Sequence, residues 1–189
     1  GLVLDVKTGN GAFMEQEADS RALAETMCEI GRNMGKQVVA LITRMDQPLG
    51  KTAGNAIEVV ECLECLEGNG PDDLMSLSIE LAAEMIEMGG KAATMTEARS
   101  ICERLIANGE ALEAFGRLIE AQGGDRRVID NRSLFAQPAR RIDLPSPSAG
   151  YVSRLDARPI GHATMLLGAG RSRMESPIDH AVGAILHKK

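Results

Sequence analysis

Hydrophobic residues near the start of the chain follow two different patterns. Residues 2–6 form an almost continuous apolar run broken only by Asp5, which is typical of a parallel strand covered on both faces. Residues 18–34 carry apolar side chains at a period of about 3.6, which predicts a helix, and residues 38–42 predict a second buried strand. Strand, helix and strand in this order predict a βαβ unit, in which ligands bind at the carboxyl ends of the strands.

The middle of the chain predicts several helices in succession. Glycine-containing breaks separate them, and Thr94 with Glu97 three positions later predicts a capping box at one helix start. The predicted helices cover residues 55–67, 73–88, 96–108 and 110–121.

The pattern changes after Gly124. Residues 126–148 combine prolines, serines and basic residues, which predicts an irregular connector. Residues 149–156 predict a strand, residues 159–167 predict a helix that ends at a Gly-Ala-Gly sequence, and residues 178–187 are apolar enough to dock onto the rest.

These patterns predict an α/β fold with part of a mixed sheet flanked by helices, followed by the beginning of a C-terminal α+β subdomain. We predict an α/β core over residues 1–125, a connector over 126–148 and an incomplete subdomain over 149–189. The absence of an initial Met, with a buried strand at the very start, leads us to expect a portion of a longer protein.

Composition narrows the possible functions. The 189 residues are 44% apolar, which is enough for a buried core, and the net charge of −6 argues against nucleic acid or an anionic membrane as a partner. No apolar run approaches the length of a membrane span and no secretory signal precedes the first strand, so we expect a cytoplasmic protein. Cys62 and Cys65 form a C-x-x-C sequence, which we interpret as two reduced thiols on one face of an apolar helix.

Candidate chemistry lies just after the first predicted strand. Gly9 and Gly11 form a G-x-G turn, but Met14 takes the place of the third glycine, which argues against a dinucleotide site. Phe13 could pack against a flat base, or it could plug the edge of the sheet. Lys7 could bind an anion or form a structural ion pair with an aspartate, and we favour the ion pair.

A second candidate site lies between residues 48 and 54. Proline and glycines exclude a regular helix there, so carbonyl groups are left in a turn, and Glu58 and Glu61 follow one turn apart. Carbonyl oxygens with a carboxylate suit a hard cation such as potassium. A plain loop with solvated glutamates is the alternative.

Two segments, LVLDVKTGNGAFM (residues 2–14) and QPLGKTAGNAIEVVE (residues 47–61), resemble adjoining motifs of the thymidine and pyrimidine-nucleoside phosphorylase family. The resemblance extends to about residue 187. The supporting segments are AFGRLIEAQ (114–122), GYVS (150–153) and IDHAVG (178–183).

The resemblance implies reversible phosphorolysis of thymidine or uridine, with phosphate as co-substrate and free base and (deoxy)ribose 1-phosphate as products. It implies a structural potassium ion bound by the carbonyls of Leu49 and Thr52 and by the carboxylate of Glu61. Phe13 matches a residue that lines the pyrimidine pocket, and Lys7 stays a weaker substrate-binding candidate.

The resemblance assigns no catalytic residue to this chain. The family's phosphate loop, its pyrimidine-binding arginine and its Ser-x-x-Ser-Lys-Lys stretch are expected upstream of Gly1, so we expect the chain alone to be inactive and the whole protein to be a homodimer. Two alternatives stay open: a phosphorylase of nucleoside 5′-monophosphates, and a non-catalytic binding module.

Overall fold

The computed structural model describes residues 1–171 and 173–187. Strands and helices alternate at the start of the chain, and helices dominate the middle. In chain order the elements are β1 (Leu2–Thr8), α1 (Glu17–Asn33), β2 (Val38–Arg44), β3 (Thr52–Gly54), α2 (Ala56–Leu66), α3 (Asp72–Met88), α4 (Met95–Ala107), α5 (Glu110–Ala121), α6 (Ala157–Thr164) and β4 (Gly183–Ile185).

The first three elements form a βαβ unit, as the sequence predicts. β1 and β2 pair in parallel over their whole length, with Leu2 opposite Val38 and Thr8 opposite Arg44. α1 packs closely on β2, because Gly31 leaves room for Val38: a Cβ at position 31 would lie 2.1 Å from Val38 Cγ2. The carboxyl ends of both strands therefore meet at one edge.

The predicted helices of the middle region are confirmed as α2 to α5. α3 and α4 pack through small residues, since Ala83 and Ala98 are completely buried and Cys102 lies beside them. The predicted cap of α4 is present: Thr94 Oγ1 accepts a hydrogen bond from the Glu97 amide at 3.2 Å. The Glu97 carboxylate in turn accepts from the amide of Ala93 at 2.8 Å.

The region between α5 and α6 begins with two short 3₁₀ turns, Arg126–Val128 and Arg132–Leu134, and is irregular after them. The strand predicted over residues 149–156 is wrong. Tyr151 and Val152 have β-forming side chains but are exposed, and no strand among the described residues pairs with this segment. Propensity alone does not form a strand, because a ladder needs a partner.

The end of the chain returns to the core. α6 continues into a single π-helical turn, Met165–Ala169, in which Gly168 has φ 109°, so the predicted end of the helix is confirmed. β4 pairs antiparallel with β3, which docks the apolar segment 178–187 as predicted. The described strands form one parallel and one antiparallel pair, and with the flanking helices they confirm the α/β class.

No helix within residues 1–171 and 173–187 has both the length and the apolar character that a membrane span requires.

The tight contact between α3 and α4 generates a prediction of stability. Ala98→Leu adds three carbons where Ala83 leaves no space, so we expect the free energy of unfolding to fall by about 1 to 3 kcal/mol. Ala107→Leu is the control, because it makes the same change at an exposed position of the same helix. Denaturant unfolding of both variants measures the difference; equal stability would show that the two helices do not pack as described.

Candidate functional site

The loops that follow β1 and β2 lie against each other at the carboxyl edge of the parallel pair. The amide of Met45 donates to the carbonyl of Thr8 at 2.7 Å, and the amide of Gly11 donates to the carbonyl of Met45 at 2.9 Å. Gly9 has φ 104°, and a Cβ there would lie 2.5 Å from Asp46 Oδ1. Glycine is therefore required at position 9 both for its backbone conformation and for space.

Phe13 lies in the loop after β1 and extends into solvent. The residue is 94% exposed, so the alternative that it plugs the edge of the sheet is wrong. A large aromatic ring with so little contact is unusual for a residue that serves only stability. The ring is available to stack on a flat ligand, and its assignment to a base stays a prediction.

Lys7 is engaged within the sheet. Its ammonium nitrogen lies 2.6 Å from Asp5 Oδ2 and donates to Thr43 Oγ1 at 2.9 Å. Lys7 lies opposite Thr43 in the register of β1 and β2, so these contacts join the two strands. The structural ion pair favoured from the sequence is confirmed, and a substrate-binding role of Lys7 stays a prediction.

Glu61, on the second turn of α2, is a buried carboxylate that faces the loop before β3. It is 5% exposed, so the alternative of a solvated glutamate is wrong for this residue. Oε1 accepts from the amide of Lys51 at 2.7 Å and Oε2 accepts from Thr52 Oγ1 at 2.8 Å. Within the described part of the chain, no basic side chain forms an ion pair with Glu61.

Glu58 behaves differently from Glu61. It lies on the exposed side of the first turn of α2, and its Oε1 accepts from the amide of Gly54 at 2.8 Å. The two glutamates one turn apart therefore do not form a joint acidic site, and only Glu61 closes the turn at residues 49–52.

The turn closes over Glu61 because position 50 has no side chain. Gly50 has φ 70°, and a Cβ there would lie 2.5 Å from Glu61 Oε2. The carbonyl of Lys51 accepts a hydrogen bond from the Leu186 amide. In an antiparallel ladder, hydrogen-bonded and non-hydrogen-bonded pairs alternate, so the pair that this bond flanks, Thr52 with Ile185, is not hydrogen-bonded. The carbonyl of Thr52 consequently points away from β4.

These groups leave oxygen atoms that could bind a cation. A buried carboxylate without a basic partner carries an uncompensated negative charge, which is costly unless a positive group approaches it. The carboxylate oxygens of Glu61 have lone pairs beyond the two that accept from Lys51 and Thr52. The turn also borders a pocket of about 350 Å³ between β3 and α6, lined on one side by Leu49 and Thr52 and on the other by Ile160 and Met165.

Cys62 and Cys65 follow Glu61 on α2 as free thiols. Burial raises the pKa of Cys62, and burial followed by the charges of neighbouring acidic groups raises the pKa of Cys65 to about 11. Both thiols are thus protonated at neutral pH and poorly suited to nucleophilic or metal chemistry.

A polar contact between the loops after β1 and β2 and the start of α6 was not predicted from the sequence. Asn10 and Asp46, in the loops after β1 and β2, bind the first residues of α6, among them Arg158. The only local signal is an asparagine between two glycines after a strand, which indicates a turn but not its distant partner.

Two family models match the chain. Residues 1–112 match the a/b domain of the glycosyl transferase family, and residues 151–189 match the pyrimidine nucleoside phosphorylase C-terminal domain. The chain belongs to the pyrimidine-nucleoside phosphorylase family. The resemblance given by the two sequence motifs is thereby confirmed.

Relatives named pyrimidine-nucleoside phosphorylase are similar over the whole chain. The identity over 188 residues is 48% to the protein of Bacillus subtilis (strain 168), 46% to that of Staphylococcus haemolyticus (strain JCSC1435) and 45% to that of Staphylococcus aureus (strain USA300). Each match covers 100% of this chain and 43% of the relative. The chain thus spans less than half the length of these curated relatives.

The contact between Gly50 and Glu61 predicts a difference between two glycines. Gly35 and Gly50 both have φ 70°, but a Cβ at position 35 would meet nothing within 4 Å. Gly35→Ala should lower the free energy of unfolding by about 1 kcal/mol through backbone strain alone. Gly50→Ala should lower it by about 3 kcal/mol or more, because it also displaces the hydrogen-bonded carboxylate. Denaturant unfolding compares the two; equal losses would mean that Glu61 does not occupy this position.

Proposed function

We propose that this chain forms the α/β portion and part of the C-terminal portion of a pyrimidine-nucleoside phosphorylase, which is a pentosyltransferase. In the proposed reaction, phosphate attacks C1′ of thymidine, deoxyuridine or uridine, the bond from C1′ to the base breaks, and (deoxy)ribose 1-phosphate and free base form. We place the catalytic residues in the part of the relatives that this chain does not match, and we include a cytoplasmic location and a homodimer of the whole protein in the proposal.

One observation carries the proposal. The ring of Phe13 extends, 94% exposed, from the carboxyl edge of two parallel strands. Ligands of open parallel sheets bind at this edge. The same segment lies within a match of 48% identity to a relative named for its action on pyrimidine nucleosides. An exposed aromatic face at such an edge supports the binding of a flat, uncharged ring.

The chemistry determines what the chain must contribute. Phosphorolysis needs no covalent nucleophile: the phosphate must be aimed at C1′, and the departing pyrimidine anion must meet hydrogen-bond donors or positive charge. An aromatic wall fixes the plane of the base, and it acts equally on substrate and product. Phe13 would thus position the base, while the charged groups come from the remainder of the protein.

We further propose that potassium binds at the turn before β3. The carbonyls of Leu49 and Thr52 and the carboxylate of Glu61 would hold it, and when bound it would supply positive charge to a buried acidic group. Two observations support this assignment: the carbonyl of Thr52 points away from β4, and Glu61 is buried without an ion pair in the described part of the chain. The role is structural, because the ion would fix the turn to α2.

Base release tests the proposed activity. The full-length protein that contains this chain should convert thymidine or uridine to free base only when phosphate is present, as the ultraviolet shift of the base reports. The isolated 189-residue chain should release none. Phe13→Ala in the full-length protein should raise the KM for the nucleoside about tenfold, since loss of stacking on one base costs about 1 to 3 kcal/mol.

Leu144→Ala is the control for Phe13→Ala, because Leu144 is also an exposed apolar residue and lies in the irregular connector. It should leave the KM for the nucleoside unchanged. Preference for nucleoside 5′-monophosphates would favour the related phosphorylase instead, and no release by the full-length protein would refute the proposed activity.

Thermal unfolding tests the cation. The full-length protein should have a higher Tm in potassium chloride than in choline chloride of equal ionic strength, because a ligand that binds only the folded state stabilises it. Glu61→Gln should abolish this difference by removing the buried charge. Glu58→Gln, a change of the exposed glutamate on the same helix, should retain it. A potassium effect that survives Glu61→Gln would place the ion elsewhere.

A further inference from the structure

The segment that carries Phe13 is held by its backbone and not by its ring. Because Phe13 is 94% exposed, packing of the ring does not determine where it points. The residues on either side must therefore fix it. Gly11 lies so close to the neighbouring loop that a Cβ there would be 2.7 Å from the Met45 carbonyl oxygen and 2.8 Å from Ala157 Cβ. The start of α6 thus forms part of the support of this segment.

Asn10 supplies a cap for α6 from a distant part of the chain. Asp156, at the N-cap position of α6, caps none of the helix amides with its own side chain. Instead, the Ala157 amide donates to the carbonyl of Asp46 at 2.9 Å and the Arg158 amide donates to Asn10 Oδ1 at 3.3 Å. These are two of the first amides of a helix, which have no partner within it.

The other half of the Asn10 amide binds the loop after β2. Asn10 Nδ2 donates to the carbonyl of Asp46 at 2.7 Å and to Asp156 Oδ1 at 3.4 Å. Only one orientation of the amide satisfies these acceptors and the Arg158 amide together. Asn10 consequently joins the loop after β1, the loop after β2 and the start of α6.

Arg158 then reaches back to both sides of Phe13. Its Nη2 lies 2.7 Å from Glu15 Oε1 and donates to the carbonyl of Ala12 at 3.5 Å. Ala12 directly precedes Phe13 and Glu15 follows it by two residues. A single guanidinium therefore holds both ends of the segment that presents the exposed ring.

We propose that Asn10 and Arg158 are positioning residues for the base-binding ring of Phe13. Through them the start of α6 becomes part of the support of the base-binding site, although its side chains need not touch the base. The inference rests on the proposed function, because it assigns to Arg158 an effect on nucleoside binding that acts through Phe13.

Steady-state kinetics of the full-length protein tests the inference with Arg158→Gln. The KM for the nucleoside should rise about tenfold, because a displacement of the order of 1 Å in a positioning group has large effects, while the KM for phosphate stays constant. Arg158→Lys retains the charge that faces Glu15 and should recover most of the loss. Asn10→Ala should reproduce the effect of Arg158→Gln, so the test does not depend on a single variant.

Arg21→Gln is the matched control. The side chain of Arg21 is 59% exposed and pairs with Glu17, while that of Arg158 is 56% exposed and pairs with Glu15. The control removes the same kind of surface ion pair within α1, so it should change neither KM.

A double-variant comparison separates positioning from simple stabilisation. If Arg158 acts through the ring, Arg158→Gln should have no further effect on the nucleoside KM when Phe13→Ala is already present. The inference would be overturned if Arg158→Gln raised the nucleoside KM by the same factor in the wild-type protein and in the Phe13→Ala variant. Equal changes in the KM for nucleoside and for phosphate would also overturn it.

The single variants distinguish the positioning role of Arg158 from the proposed role of the Phe13 ring. If Phe13→Ala raises the KM for the nucleoside and Arg158→Gln does not, the positioning role fails and the proposed function stands. If Phe13→Ala itself leaves that KM unchanged, the proposed role of the ring fails, and the positioning role fails with it.

Discussion

The parallel pairing of β1 with β2 is the constraint on which the rest of the described structure depends. Because the two strands run in the same direction in register from Leu2 to Thr8, the loops after both strands emerge at one edge and contact each other. Close approach of these loops requires glycine at position 9, and the approach of α6 requires it at position 11. Phe13 lies in the turn between this edge and α1, and it is exposed there.

The buried carboxylate of Glu61 has a comparable role at the turn before β3. Lys51 is bound from two sides: its amide donates to Glu61 at 2.7 Å and its carbonyl accepts from the Leu186 amide at 2.7 Å. One peptide segment therefore connects α2 to the residue that follows β4. A charge buried for stability alone would be a poor choice, since an apolar residue of similar size often serves as well. The cation proposed for this turn would compensate that charge.

The sequence predicted most of the elements, because their signals are local. Apolar periodicity located α1 to α5, and the break at Gly168 located the end of the π-helical turn that continues α6. The strand over residues 149–156 was wrong for a non-local reason: its side chains suit a strand, but no partner strand lies beside it in the described structure. For the candidate site, the ion pair of Lys7 was predictable because Asp5 lies on the same face of the same strand. The contacts of Asn10 with α6 were not, because their partners lie 146 and 148 residues away.

The character of the contacts at α6 suggests that they determine geometry more than stability. Hydrogen bonds and ion pairs of partly exposed groups each contribute about 0.5 to 1.5 kcal/mol or less, so breaking one of them should not unfold the chain. Each contact is directional, however, and together they fix a loop whose most prominent side chain has almost no packing of its own. The short antiparallel pair of β3 and β4 joins the same two regions through the backbone. α6 and β4 are thus held against the rest of the described structure at two separate places, one beside Phe13 and one beside Glu61, and a displacement of α6 would reach both candidate sites.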